Sequence, residues 1–291
     1  MTRQTEPLPQ PRALTRAGTP PTLTSSTMKT ALPLLALTLL AAGCTAVSGP
    51  RATTLPPPAN DTRVYELRTY TATPGKLPEV LARFRDHTMR LFARHGMVSV
   101  AYWTPADAKD GAGEKLVYLL AHPSREAATA NWAAFRADPE WQAAKTASEA
   151  AGLIVAKTES VFLAPTDYSP ALAAAQTGGA ARAFELRTYT VPPEKLAALD
   201  TRFRDHTTRL FARHGMTSVA YFHPLDADKG AATTLVYFMA YPNREAAVAS
   251  WTAFRADPEW QAAKAESERK DNLFAQTASV FLTPTNFSPM K

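Results

Sequence analysis

Three side chains that could do chemistry alternate along one short segment. Glu66, Arg68 and Tyr70 occupy every second position of a predicted strand, so they project to one side. The same trio returns 119 residues later as Glu185, Arg187 and Tyr189. If this face turns into the interior of a barrel, the charged pair and the phenol can orient an anionic or phenolic ligand. The alternative is a glutamate–arginine pair that neutralises itself between two sheets, since buried charges normally pair.

A second kind of chemistry is indicated by two histidines on predicted helices, His87 and His206. Each could act as a general base or as the axial ligand of a haem. The alternative is a partly buried histidine with one hydrogen bond. Asp86 is poorly placed to orient His87, because adjacent helix residues point about 100° apart. No HxxxH or HxxE pair occurs, so no metal site is predicted. No cofactor is predicted either, and a bound haem is the alternative.

Aromatic residues of a predicted hairpin form a third candidate group. These residues could line a pocket for an apolar or aromatic ligand. They are Trp103 and Tyr118 of the hairpin, with Phe222 and Tyr237 at the repeated positions. Core packing explains the same residues equally well. No glycine-rich phosphate loop and no GxSxG motif is present, which argues against dinucleotide enzymes, kinases and ordinary hydrolases.

The single cysteine, Cys44, ends a segment built like an export signal. Residues 28–43 contain one lysine, a short apolar run and small residues before the cysteine, and the run is too short to span a membrane. The segment resembles a bacterial lipoprotein signal, whose cysteine becomes the lipidated first residue of the mature chain. We therefore expect an exported protein anchored through Cys44, at the outer membrane or its periplasmic face where two membranes are present. A signal peptide without a lipid is the alternative.

The residues around this signal carry little structural information. Translation is expected to begin at Met28, because the polar residues 1–27 would be an unusual extension ahead of a signal. Residues 44–62 contain four prolines and are predicted to be a flexible tether. The net charge of the whole chain is +6, and it is dispersed rather than concentrated in a basic block. Nucleic acid is therefore not a predicted partner.

The rest of the chain contains one module twice. An offset of 119 residues aligns 66–170 with 185–289 without a gap, and nearly two thirds of the aligned residues are identical. Such similarity indicates duplication, and a period this long indicates two domains rather than a solenoid. The predicted first module is 63–170, the second is 182–291, and an Ala/Gly-rich linker at 171–181 joins them.

Within a module the hydrophobic pattern changes its period in a clear order. The predicted elements of the first module are a strand at 64–71, a helix from Leu77 to His95 ended by Gly96, strands at 97–103 and 115–121, helices capped by Ser124 and Asp138, and a strand at 158–163. This βαββαβ order predicts an α+β, ferredoxin-like fold. Helices cover one face of such a sheet, so two copies can pack sheet to sheet, within one chain or between chains.

Four segments of each module resemble the NIPSNAP family. In the first module they are residues 65–70 (YELRTY), 91–97 (LFARHGM), 138–141 (DPEW) and 165–170 (PTDYSP). The resemblance covers each module from end to end and implies the dimeric α/β-barrel architecture. It departs from the family pattern at Ala101, where the family tends to have glycine, and at Phe222, where the first module has Trp103. It implies no particular reaction.

Three hypotheses about function follow from the sequence. The leading one is an envelope lipoprotein whose paired modules bind a small apolar or aromatic ligand in a barrel pocket. The second is an enzyme, either a cofactor-free or haem-dependent monooxygenase or an isomerase, with His87, Tyr70 and Arg68 and their copies as acid–base candidates; this rests on analogy between folds. The third is a protein-interaction scaffold that uses the outer helices.

Overall fold

The structure is a computed structural model that describes residues 61–172, 182–269, 273 and 276–291. The predicted signal peptide, Cys44 and most of the tether lie outside these residues. The first module consists of β1 (Val64–Ala72), α1 (Leu77–Arg83), a π-helical turn (Phe84–Thr88), α2 (Met89–Arg94), β2 (Val98–Pro105), β3 (Lys115–His122), α3 (Arg125–Ala137), α4 (Pro139–Ser148) and β4 (Val155–Pro165). The second consists of β5 (Ala183–Thr190), α5 (Leu196–Arg202), a π-helical turn (Phe203–Thr207), α6 (Thr208–Arg213), β6 (Thr217–Pro224), β7 (Thr234–Tyr241), α7 (Arg244–Ala256), α8 (Pro258–Ser267) and β8 (Gln276–Pro284).

The predicted βαββαβ order is confirmed, and so are the residues that delimit the helices. Gly96 follows the first helical segment with φ of +72°, a left-handed conformation that glycine adopts without strain. Ser124 Oγ accepts a hydrogen bond from the Ala127 N–H at 3.1 Å and caps α3. Asp138 Oδ1 accepts from the Glu140 N–H at 2.8 Å and caps α4.

Two predicted elements differ from the structure. The helix predicted from Leu77 to His95 contains the π-helical turn Phe84–Thr88, in which the Thr88 hydroxyl donates to the Arg83 carbonyl at 3.0 Å. An apolar stripe does not reveal such a turn, because the extra residue shifts the stripe only locally. The last strand is longer than predicted, since β4 pairs with β1 along most of its length and then continues onto β6 of the other module.

The eight strands form one closed, antiparallel barrel in the order β1-β3-β2-β8-β5-β7-β6-β4. The two modules therefore close on each other within one chain. They join at two short seams. In one, residues 103–105 of β2 pair with residues 282–284 of β8; in the other, residues 163–165 of β4 pair with residues 222–224 of β6.

Three apolar cores result from this arrangement. The central core fills the barrel between the two sheets and includes Tyr65, Trp103, Phe184, Phe222 and Phe238. Each module also has an outer core between its sheet and its helices. The bare faces of the two sheets thus cover each other, as the sequence predicted.

Among the described ion pairs that connect the modules, two are related by the repeat. Arg125 binds Asp226 through two hydrogen bonds of 2.6 and 2.9 Å. The repeated residues form the reciprocal pair, in which Arg244 binds Asp107 through two hydrogen bonds of 2.8 Å. This exchange of equivalent partners is the pattern of a twofold interface, here formed between two halves of one chain.

Candidate functional site

The strand trio of the first module lies on the outer face of the barrel, beneath the helices. Glu66 is 1% exposed. Its carboxylate accepts hydrogen bonds from Trp132 Nε1 at 2.7 Å, Ser160 Oγ at 2.6 Å, Arg68 Nη1 at 2.5 Å and His122 Nε2 at 3.2 Å. Burial favours the neutral acid, but these donors outweigh it and lower the pKa of Glu66 to about 2. The carboxylate is therefore ionised and saturated with donors.

The second module repeats this arrangement with one exchanged donor. Glu185 accepts from Trp251 Nε1 at 2.8 Å, Ser279 Oγ at 2.5 Å and Arg187 Nη1 at 2.5 Å. Tyr241 Oη donates at 2.8 Å in place of the first module's histidine. Each arginine also lies over the tryptophan ring of its own module, at 4.3 and 4.2 Å from the ring centre.

The glutamate–arginine pairs thus neutralise themselves, and they do so between sheet and helices rather than inside the barrel. The face of β1 that carries these pairs does not turn into the barrel, so the pairs do not form a charged cavity there. Alternation along β1 places Tyr65 and Leu67 inside and Glu66 and Arg68 outside. A ligand site that uses these residues must therefore lie in the outer layer of a module.

Such a space exists in the second module, between β5 and the helices that cover it. The cavity has a volume of about 400 Å³. It is lined by Arg187, Tyr189, Phe203, Thr207, Phe211, Trp251, Phe254, Arg255, Trp260, Gln261 and Lys264. Three of these residues are cationic, six are aromatic, and none of the described lining residues carries a carboxylate. The surface is suited to a flat apolar body with a negative charge.

The polar floor of the cavity is ordered by contacts within the strand. Arg187 Nη2 donates to Tyr189 Oη at 3.1 Å, while Nη1 of the same residue binds Glu185. Arg255 and Lys264 are exposed on α7 and α8. Lys264 Nζ lies 3.6 Å from Glu268, so its charge is only weakly paired.

The first module carries the same lining residues. All eleven positions are identical in the two modules, against nearly two thirds over the whole alignment. Packing explains the identity of the buried aromatic rings. The exposed polar residues of the lining repeat as well, since Arg136, Gln142 and Lys145 are aligned with Arg255, Gln261 and Lys264.

The hairpin aromatics do not form one pocket. Trp103 stacks on Phe238 inside the barrel at 5.2 Å between ring centres, and Phe222 contacts Tyr65 there at 5.0 Å. Tyr118 faces the opposite way, into the outer core, as does Tyr237 of the second module. The structure therefore does not bring these four residues to one face, because Trp103 pairs with Val117 and points away from the adjacent Tyr118. Burial raises the pKa of Tyr118 and Tyr237 well above 10, so both phenols stay neutral.

The two candidate histidines lie away from the cavity. His87 and His206 are both in the π-helical turns. His87 is exposed, and His206 lines an open groove between α5 and α8 rather than the aromatic cavity. The structure does not bring either histidine to Arg68, Tyr70 or their copies. Among the described residues there is no group of three metal-ligating side chains that could hold one ion.

The helical half of the cavity is not among the sites predicted from the sequence. It consists of Trp251, Arg255, Trp260 and Lys264. The available signal was the spacing of four residues between each tryptophan and the cation that follows it, which places the two side chains on one face of a helix. Cys44 lies outside the described residues. Of the helices that the structure describes, none is long and apolar enough to cross a membrane.

Comparison with solved structures defines the class of fold. A putative monooxygenase from Fusobacterium nucleatum is 10% identical, with 77% of this chain and 92% of that chain covered and a TM-score of 0.52. An anthrone oxidase-like protein is 13% identical, with 78% and 92% covered and a TM-score of 0.51. At these identities the likeness shows the fold alone, an α/β barrel of the dimeric type that here is completed by two modules of one chain.

The family follows from the sequence of each module. The NIPSNAP family model matches residues 65–170 and again residues 184–289. The chain therefore belongs to the NIPSNAP family and contains two tandem copies of its domain. A NIPSNAP domain protein from Burkholderia xenovorans is 27% identical, with 37% of this chain and 98% of that chain covered and a TM-score of 0.32. Comparison with curated protein sequences gives no significant match.

Proposed function

We propose that this protein binds a small aromatic or apolar anion in the layer between sheet and helices, with one site in each module. The observation that carries the proposal is the cavity of about 400 Å³ in the second module, whose described lining combines six aromatic rings with three cations and no carboxylate. A cavity of this size lies within the usual range for small-molecule sites. The identical lining residues of the first module support a second site.

The cations of the cavity have different roles in this proposal. Arg187 is already bound to Glu185, so it orders the floor and contributes little net charge. Arg255 and Lys264 are exposed and supply the attraction for an anion. The rings of Trp251 and Trp260 supply the apolar contact.

An aromatic carboxylate and its neutral alcohol test this division of roles. We expect 2-naphthoate to bind the wild-type protein more tightly than 2-naphthalenemethanol, measured by isothermal titration calorimetry. Arg255→Gln with Lys264→Gln should weaken naphthoate binding at the second-module site about tenfold, a loss of about 1.4 kcal/mol. The alcohol should bind equally to the wild type and to this double variant.

The repeated residues provide the matched control. Arg136→Gln with Lys145→Gln should weaken a separate site in the first module and leave the second-module site unchanged. Equal affinities of the carboxylate and the alcohol, or no effect of either double variant, would contradict an anion site in this layer.

An enzyme that uses this cavity would need acid–base groups other than the histidines predicted from the sequence. His87 and His206 do not line the cavity, so a histidine general base loses its support. Of the acid–base candidates predicted from the sequence, Tyr189 and Arg187 line the cavity, and an arginine side chain stays protonated in proteins. The geometry favours binding without a reaction that can be named.

We propose further that the protein is a membrane-anchored lipoprotein, exported and lipidated at Cys44. Support comes from the signal-like residues 28–43 and from the position of the single cysteine directly after them. In bacterial cells fed an alkyne-tagged fatty acid, the wild type should take up label and sediment with membranes. Cys44→Ser should lose both properties, whereas Thr45→Ser should keep them. A label that persists in Cys44→Ser would contradict the anchor.

A further inference from the structure

The segment that follows the last strand of each module crosses onto the other module. We call residues 166–170 the first tail; it docks on β6 of the second module. The Thr166 N–H donates to the Tyr221 carbonyl at 2.9 Å, and the Tyr221 N–H donates to Ser169 Oγ at 3.0 Å. These two hydrogen bonds attach the first tail to the second module.

The second tail, residues 285–289, docks on β2 of the first module in the same way. The Thr285 N–H donates to the Tyr102 carbonyl at 2.9 Å, and the Tyr102 N–H donates to Ser288 Oγ at 2.9 Å. The backbone geometry of the two tails is therefore matched, and any difference between them arises from side chains.

The side chains around the two tails differ at Asp167, which aligns with Asn286, and at three further positions that contact one another. At the first tail, Tyr168 Oη donates to Asp200 Oδ1 at 2.7 Å, and His223 Nε2 lies 3.1 and 3.2 Å from the two oxygens of the same carboxylate. The aligned residues at the second tail are Phe287, Leu81 and Thr104, none of which is ionisable. A polar, titratable cluster thus occurs at one tail only.

The surroundings of His223 favour its protonated form. Its Nδ1 lies 2.8 Å from the Thr234 carbonyl, and its Nε2 faces the Asp200 carboxylate. A carbonyl and a carboxylate only accept hydrogen bonds, so both contacts are satisfied when the ring carries two protons and is a cation. Burial opposes this charge, but the bonds to Asp200 and Thr234 outweigh it, and the pKa of His223 is raised above 6.5.

We propose that Tyr168, Asp200 and His223 form a proton-operated latch, which holds the first tail on the second module and releases it as the pH rises. Loss of one ring proton removes the cation beside Asp200 and leaves a ring lone pair facing either the Thr234 carbonyl or the carboxylate, so the ring no longer fixes the carboxylate that holds Tyr168. Among the residues that the structure describes, the other charged groups that face the cluster are Asp167 and Arg204, which bind each other through hydrogen bonds of 2.9 and 2.7 Å. This pair keeps its charges between pH 5 and 9, so it does not mask the titration.

The sign of the pH effect follows from the direction of the shift. A group whose pKa is higher in the folded state stabilises that state. The full stabilisation is present below the pKa of the group in the unfolded chain, here 6.5, and it is lost as the pH rises through the pKa in the folded protein. Tyr168 packs on Phe203, which lines the cavity of the second module, so release also loosens a wall of that cavity. The latch itself does not depend on the proposed ligand.

Hydrogen exchange of the full chain, measured by NMR at pH 5.5 and 8.5 and corrected for intrinsic rates, tests the latch. The amides of Thr166 and Tyr221 should lose protection at the higher pH, about tenfold for each pH unit by which the folded pKa of His223 exceeds 6.5. The matched amides of Thr285 and Tyr102 serve as the internal control and should keep theirs. Equal changes at both tails, or no change at either, would overturn the proposal.

Two variants separate the latch from a general effect of pH. His223→Thr introduces the residue of the aligned position, Thr104, and should make protection at the first tail independent of pH. Asp200→Asn should lower the midpoint of the His223 ring titration relative to the wild type. If His223→Thr does not fold, the wild-type titration decides alone. A midpoint above 6.5 supports the latch, and a midpoint at or below 6.5 overturns it.

Discussion

Glu66→Ala is expected to lower the free energy of unfolding by about 3–5 kcal/mol, since removing one partner from a buried ion pair leaves the other uncompensated. This variant removes the hydrogen-bond acceptor of four donors, which belong to Arg68, Trp132, Ser160 and His122. Urea denaturation followed by tryptophan fluorescence measures the loss. The second module contains the matched substitution, Glu185→Ala, which removes an equivalent set of bonds and should cost a similar amount.

The acid dependence of stability adds an independent check on Glu66. Its pKa is lowered to about 2 in the folded protein, against an ordinary value of 4.5. A lowered pKa stabilises the folded state above pH 4.5, and this contribution disappears as the pH falls toward 2. Glu66→Gln should therefore lose more stability at pH 7 than at pH 2.5. A loss below about 1 kcal/mol at pH 7, as for an exposed ion pair, would contradict the saturated buried carboxylate.

Trp103→Ala is the second substitution with a large expected effect. Trp103 is 1% exposed in the central core and contacts Phe184 and Phe238 of the other module. Truncating a buried indole should lower the free energy of unfolding by about 3–5 kcal/mol. Because the contacts cross between the modules, the loss should appear in a single cooperative unfolding transition, measured by calorimetry.

Phenylalanine at the same position provides the control. The aligned residue of the second module is Phe222, which fills the equivalent place in the barrel. Trp103 Nε1 has no hydrogen-bond partner among the described residues, so Trp103→Phe removes no bond. This variant should lose less than half of what Trp103→Ala loses. Independent unfolding of two halves in either variant would contradict a shared central core.

The order of elements was predictable because it is encoded locally. Each signal acts within a few residues of sequence, as shown by the alternation in β1, by Gly96 and by the helix caps Ser124 and Asp138. Their outcome does not depend on how the modules pair. The π-helical turn Phe84–Thr88 was not predictable, since it adds one residue to a helix without changing the residue types on its faces.

The location of the site was harder to predict than the fold. Sequence patterns separate the two faces of β1, but both faces carry apolar and polar residues, with Tyr65 and Leu67 on one side and Glu66 and Tyr70 on the other. Which face turns inward is decided by the pairing of the two sheets, a contact between residues more than 100 positions apart. For the same reason the sequence does not show that Trp103 and Tyr118 lie in different cores.

A crystal structure of the protein soaked with 2-naphthoate would show directly whether the outer layer of a module binds an aromatic anion. We expect ligand density between sheet and helices, with the ring against Trp251 and Trp260 and the carboxylate near Arg255 and Lys264. Density at the repeated position of the first module is expected as well. Density inside the barrel, or a cavity that stays empty at saturating ligand, would contradict an anion site in this layer.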